Sequence, residues 1–378
     1  MRRTSGKTFV NGAVGALMLG AALLAWATPA AAEKQQRRPR VDSVVEQALK
    51  NGRALPVIVR YTDGDAAKRI KKAKSGKLEF RRHLPASHAV AVRVNHRALR
   101  ELMEDDDVES ISYDSPVQGS QLTSVVDPPH VTVNGSGASA ARGRYGVSGS
   151  GVTVAVIDSG VRPHADLPAT RIKVFIDFVN GRTTPYDDYG HGTHVAGIIA
   201  GSGYASYGKY KGVAPSASIA ALKVLDANGA GRTSDVLASL EWVLANHALY
   251  NIRIVNLSLG HPIYESAATD PLVLLVNQLS QRGVVVVVSA GNMGRNSLGQ
   301  TVYGSIASPA NAQGAVTVGA VDTQGTLARS DDTIASFSSR GPTRFERYIK
   351  PDVVAPGFHI ASLLATDSTL AIKYPTLK

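Results

Sequence analysis

Val152-Thr153-Val154-Ala155-Val156-Ile157 runs straight into Asp158-Ser159-Gly160, and the reading of this stretch decides the fold. Five of its first six residues are apolar, Thr153 is β-branched, and polar residues do not alternate with apolar ones. That pattern describes a strand buried on both faces, as the inner strands of a parallel sheet are. Ile252 to Leu257 and Val284 to Ser289 repeat it, while Thr233 to His247 and Pro271 to Arg282 carry apolar residues at helical spacing. Strands alternating with helices predict an α/β fold, a mostly parallel sheet with helices on both faces. In such sheets chemistry gathers beyond the carboxyl ends of the strands, where Asp158 stands.

Asp158-Ser159-Gly160 alone is a weak signal. A turn or capping aspartate has this form, and so does half of an aspartic-protease dyad. The dyad needs a second such aspartate to share a proton, and no second Asp-Ser/Thr-Gly occurs. His191 adds weight. Gly190-His191-Gly192-Thr193-His194-Val195-Ala196-Gly197 opens a helix extending toward Gly201. Gly192, Gly197 and Gly201 should each cost that helix about 1 kcal/mol relative to alanine, which close packing of a buried helix against the sheet would offset. A metal pair of His191 with His194 lacks the Glu-flanked i, i+4 pattern of zinc proteases. Asn292, in Ser289-Ala290-Gly291-Asn292, puts a carboxamide at the carboxyl end of another strand. Alone it reads as a turn asparagine.

Taken together these stretches resemble the subtilisin-like (subtilase) family. The resemblance rests on them, on Gly212-Val213-Ala214-Pro215, on Asn256-Leu257-Ser258-Leu259-Gly260, on Phe337-Ser338-Ser339-Arg340-Gly341-Pro342 and on Lys350-Pro351-Asp352-Val353-Val354-Ala355-Pro356-Gly357. It implies a serine-type endopeptidase acting on polypeptide substrates. Asp158 would orient His191, His191 would be the general base, and Asn292 would donate to the oxyanion. Ser258, Leu259 and Gly260 would pair with substrate backbone, with Ala290 and Gly291 on the other wall of the main specificity pocket. The family's Gly-Thr-Ser-Met-Ala type motif should follow Ala355-Pro356-Gly357. Phe358 to Lys378 does not contain it, so the nucleophilic serine is expected to be missing from the chain as given. Ser305, Ser308, Ser362 and Ser368 have no supporting context. The rival reading is an inactive fragment or pseudo-protease that only binds peptides. No cofactor is expected: Asp166 resembles a family calcium ligand, but Tyr204 to Lys211 offers two lysines and no carboxylate.

Working toward the amino end, the charge changes character. Of the net +11, +8 lies in residues 1–117, which hold 21 Lys and Arg against 13 Asp and Glu. The basic balance therefore belongs to the front segment and says little about partners of the larger body. Residues 1–32 read as an export signal, with Arg2, Arg3 and Lys7 before an apolar run and Ala30-Ala31-Ala32 as a cleavage site. A membrane anchor is the competing reading of that run. Residues 33–120 follow the order β-α-β-β-α-β, with strands at Val57 to Tyr61, Lys77 to Leu84, His88 to Val94 and Val108 to Tyr113. Helices are expected over Asp65 to Lys74 and after an Asn95 cap. An RNA-recognition module shares this order but needs aromatics on its sheet, and His88-Ala89-Val90-Ala91-Val92-Arg93-Val94 has none. A small α+β propeptide, acting as an intramolecular inhibitor, is the preferred reading, with no nucleic-acid partner. Residues 121–141 are expected as the linker and 142–378 as the catalytic domain. The chain has no cysteine, which excludes thiol chemistry.

Overall fold

The computed structural model describes residues 38–70, 78–119 and 133–377. The expected signal 1–32 and most of the expected linker lie outside these residues. In the front segment β1 (Arg40–Val41), β2 (Leu55–Tyr61), β3 (Leu78–Leu84), β4 (Ala89–Val94) and β5 (Val108–Tyr113) form one sheet in the order β1-β5-β2-β4-β3. β1 runs parallel to β5, and the other pairs are antiparallel. Asn95 caps the helix His96–Met103 as expected, accepting from the Ala98 amide at 2.9 Å. β1 and the helix Ser43–Asn51 were not expected. Asp42 starts that helix by accepting the Val44 and Val45 amides, and Gly52, in the left-handed region, ends it.

The sheet has two buried faces. Val57, Val59, Val90 and Val92 pack with Val45, Ala48, Leu99 and Leu102 of the segment's own helices. Ile58, Ala89, Ala91 and Leu84 turn the other way and join the core of the following body. The helices Thr233–Asn246 and Pro271–Gln281 supply that core with Leu237, Leu240, Leu272 and Leu275. The small Ala89 and Ala91 let these helices approach closely. The face on which an RNA-recognition module would stack bases is therefore occupied by protein.

After β6 (Pro116–Gly119), the body is built around β7 (Thr153–Asp158), whose six residues are all buried. β8 (Ile172–Asp177), β9 (Ser218–Lys223), β7, β11 (Ile252–Leu257), β13 (Val285–Ser289) and β14 (Ala315–Asp322) are parallel neighbours in that order. β15 (Thr333–Ile334) is the antiparallel edge, and β16 (Val353–Pro356) also pairs with β14. Ala155 and Ile157 face the helices Thr233–Asn246 and Pro271–Gln281, and Val154 and Val156 face Val195, Ala196 and Ala200 of the helix His191–Ala200. This is the expected α/β layering, and it explains why β7 carries no polar alternation.

The glycines of His191–Ala200 pack closely, though not all against the sheet. A Cβ on Gly192 would overlap the Gly160 carbonyl and press on Asp158 Cβ. One on Gly197 would strike Ser362 and Leu363 instead. Gly201 is the residue after the helix, so it costs the helix interior nothing.

Candidate active site

Asp158 is the last residue of β7 and His191 the first of its helix. His191 Nδ1 lies 2.8 Å from Asp158 Oδ1 and 2.9 Å from Oδ2, although 33 residues separate them. Asp158 is 0% exposed and His191 4%. Burial alone would lower the imidazole's pKa; Asp158, by charge and hydrogen bond, and then Asp187 outweigh it, so the net shift is upward.

The pair is held by a second set of bonds. Asp187 accepts from Ser159 Oγ (2.8 Å), the Gly190 amide (2.7 Å), and the Thr193 amide (2.8 Å) and hydroxyl (2.7 Å). Ser159 Oγ accepts from the Gly192 amide at 2.9 Å, which ties the end of β7 to the start of the helix. The fully buried Lys223 donates to Ser159 O, Leu225 O and Asp188 Oδ1. His194 faces elsewhere: its Nε2 lies 3.0 Å from Ile360 O, and burial drops its pKa to about 4.

Beside the pair lies a slot with a strand already in it. β6 is antiparallel to β10 (Ala230–Arg232) on one side and to β12 (Leu259–Gly260) on the other. Gly119 pairs with Leu259 and Gln118 with Gly260, and the Gly119 amide donates to Gly229 O at 3.1 Å. A Cβ on Gly119 would meet Leu225 Cδ1 at 3.0 Å and His191 Nδ1 at 3.6 Å, so the strand passes directly by the imidazole. A cavity of about 540 Å³ continues from it, lined by Gly119, Gly260, Ser289, Gly291 and Asn292 among others. Ala290 is buried behind this wall. Ser258 accepts from Asn256 Nδ2 at 2.9 Å.

Comparison with known proteins gives this arrangement a family. The sequence profile of the Subtilase family matches residues 149–377. Serine protease AprX of Bacillus subtilis (strain 168) is 37% identical over 340 residues, covering 85% of this chain and 72% of that protein. The chain belongs to the subtilase family. Subtilisin Savinase of Lederbergia lenta is 41% identical over 217 residues, covering 57% of this chain and 68% of its own. The thermostable alkaline protease of Halalkalibacterium halodurans is 33% identical, and the chain spans 65% of its length. Fervidolysin of Fervidobacterium pennivorans, a keratinolytic enzyme related to subtilisin, aligns with a TM-score of 0.66 at 22% identity. That alignment covers 87% of this chain and 50% of fervidolysin, and it supports the subtilisin-like fold.

The hydroxyls of Ser305, Ser308, Ser362 and Ser368 each make a hydrogen bond of their own. Ser308 Oγ donates to Asp270 at 2.6 Å, Ser362 Oγ to His194 O at 2.7 Å and Ser305 Oγ to Val302 O at 3.2 Å. Ser368 Oγ accepts the Ala371 amide as a helix cap. Asp166 Oδ1 is taken by the Ala205 amide at 2.6 Å, and no group of three or more His, Asp or Glu fit for a metal occurs among the described residues. No helix among the described residues is long and apolar enough to cross a membrane.

Asp187, Ser159, β6 and β10 were not identified from sequence as parts of the site. Gly229-Ala230-Gly231 could have marked β10, since a Cβ on Gly231 would overlap Val224 O. The occupied slot gives a direct expectation. Val117 is 0% exposed and packs in the main core, so Val117→Asp would bury an unpaired carboxylate at a cost of about 3–5 kcal/mol. Hydrogen exchange should then speed up at the Gly119 and Gly231 amides. Unchanged protection there would show that the strand is not held by this side chain.

Proposed function

We propose that this subtilase is the precursor of a secreted serine endopeptidase. Residues 1–32 serve as export signal, 33–120 as inhibitory propeptide, 121–141 as the linker where processing occurs, and 142–378 as the catalytic domain. The observation that carries this reading is the buried Asp158–His191 pair beside a slot that already holds an extended peptide strand. Two strand edges that grip a backbone on both sides suit a substrate of any sequence, since main-chain hydrogen bonds supply the binding.

With Nδ1 facing the carboxylate, His191 keeps Nε2 as the basic nitrogen. That nitrogen takes the proton of an attacking serine hydroxyl and later returns it to the leaving amine. Asp158 fixes the tautomer and stabilises the imidazolium. Asn292 donates to the oxyanion; in subtilisin itself the loss of that donor costs about 10²–10³ in kcat. Ser258, Leu259 and Gly260 hold the substrate backbone, with Ala290 and Gly291 walling the pocket. β6 occupies the substrate's place, so the front segment blocks the slot with its own backbone.

None of the chain's 378 residues is assigned as the nucleophile. A fluorophosphonate probe is therefore expected to leave this chain unlabelled, and labelling at any serine would refute that assignment. Reading the gene past codon 378 completes the test. A Gly-Thr-Ser type motif in frame, with casein cleavage lost on His191→Ala, supports the endopeptidase. A stop with no such motif in any frame would point instead to an inactive binding protein or a dead gene.

A further inference from the structure

Gly190 precedes His191 and Thr193 stands two residues beyond it, and one carboxylate holds both. The Gly190 amide donates to Asp187 Oδ1 and the Thr193 amide to Oδ2. Ser159 Oγ adds a bond to the first oxygen and Thr193 Oγ1 to the second. Asp187 is 4% exposed, so these four donors, two to each oxygen, stand in for the water it gives up.

The protons at this group can be counted. Ser159 Oγ accepts the Gly192 amide, and Thr193 Oγ1 accepts the Arg162 amide at 3.0 Å. A hydroxyl has one proton, and Asp187 is the acceptor that each of these two faces. A protonated Asp187 would have to donate to one of them, whose own proton would then lack an acceptor in a buried site. Burial raises the carboxyl's pKa, and the four donors pull it back. Only the anion satisfies every donor around it.

That anion has no cation paired with it. No ion pair among the described residues includes Asp187. Lys223, at the end of β9, gives its ammonium to Asp188 Oδ1 and to the Ser159 and Leu225 carbonyls, 5.0 Å from the Tyr186 ring. Arg162 pairs with Asp367. His194 is uncharged at neutral pH, its pKa being about 4. Tyr186 and Tyr189 are phenols whose pKa burial raises further. Of the titratable groups around Asp187 there remains His191, whose Nδ1 faces Asp158.

We propose that Asp187 is a positioning residue for His191, a buried carboxylate that clamps the backbone on both sides of the imidazole and, as a second negative charge behind Asp158, helps the ring hold a proton. The clamp explains why the helix can begin at His191 with its first amides satisfied: they end on Asp187 rather than on water. The charge acts where little water screens it, so it reaches the imidazole without touching it. Its effect runs in the same direction as that of Asp158, upward for the imidazole, and is the smaller of the two. A part for Asp187 in catalysis rests on the function proposed above; the clamp and the charge do not.

The test uses the full chain and needs neither a nucleophile nor a substrate. In Asp187→Asn the ¹⁵N titration of the His191 ring should show its protonation constant fall about tenfold. Nδ1 should remain the protonated nitrogen, because Asp158 is untouched. The Gly190 and Thr193 amides should exchange faster in the same variant, since the asparagine turns an amide of its own toward one pair of donors. Thr193→Val removes one donor but keeps the charge, so it should leave the protonation constant within about twofold of the parent's. A constant unchanged in Asp187→Asn, or one that falls equally in Thr193→Val, would overturn the role of the charge, and unchanged amide exchange would overturn the clamp. Should Asp187→Asn fail to fold, the carboxyl ¹³C titration of Asp187 in the parent decides: an ionised carboxyl at neutral pH upholds the proposal and a protonated one sinks it. Absence of any serine motif from the gene would end the endopeptidase reading and leave these titrations as they are, so the two fail separately.

Discussion

Gly192→Ala is expected to separate Asp158 from His191 and to destabilise the body by about 3 kcal/mol, the upper end for overpacking a tight core. The position immediately follows the histidine, and its missing side chain is what lets the helix start rest on the end of β7. An alanine Cβ there would overlap the Gly160 carbonyl and come to 3.2 Å from Asp158 Cβ. Gly160 cannot yield, because its own φ of 112° and the Tyr186 carbonyl beside it fix its path. The helix start must move instead, and with it the 2.9 Å bond from the Gly192 amide to Ser159 Oγ. A lowered melting temperature and loss of the low-field Nδ1 proton resonance of His191 should appear together. A variant that melts like its parent and keeps that resonance would show that the contact tolerates a methyl group.

What the sequence reveals of this molecule depends on how locally each feature is specified. β7, β11 and β13 are legible because a strand buried on both faces must be apolar throughout. Asp158 and His191 are legible because each sits beside glycines whose cost needs a reason. The helix Ser43–Asn51 was missed although Asp42 and Gly52 mark both its ends. β6 is of another kind. Pro116-Val117-Gln118-Gly119 has almost no strand character, and its partners at 230–232 and 259–260 lie more than 100 residues away. Only the buried Val117 and the narrow space around Gly119 show why it is extended. The carboxyl groups along the seam are equally hidden, since Asp42, Asp114, Glu241 and Glu265 look like surface acids until the front segment covers them. Burial then raises the pKa of each.

Asp158→Asn should bring the His191 pKa below its ordinary value of 6.5, reversing the direction of the native shift. Burial of the ring opposes its positive charge in either protein. In the native chain Asp158 overcomes that cost from 2.8 Å, and Asp187 assists. An asparagine has no charge, and its amide can offer a proton to Nδ1, which drives the imidazole's own proton to Nε2 and leaves the wrong nitrogen basic. The stability consequence carries a definite sign. A histidine whose folded pKa is raised contributes stability fully present below 6.5 and lost as pH rises through the folded value. The native protein should accordingly lose that contribution as pH rises above 6.5 toward the raised value, whereas the variant should gain stability as pH rises toward 6.5 and level off beyond it. A ¹⁵N titration of the His191 ring reads both the pKa and the tautomer. In a complete serine protease the corresponding change lowers kcat by about 10⁴. If His191 titrates alike with aspartate or asparagine at 158, the carboxylate does not govern the imidazole, and the assignment of these two residues as a catalytic pair fails.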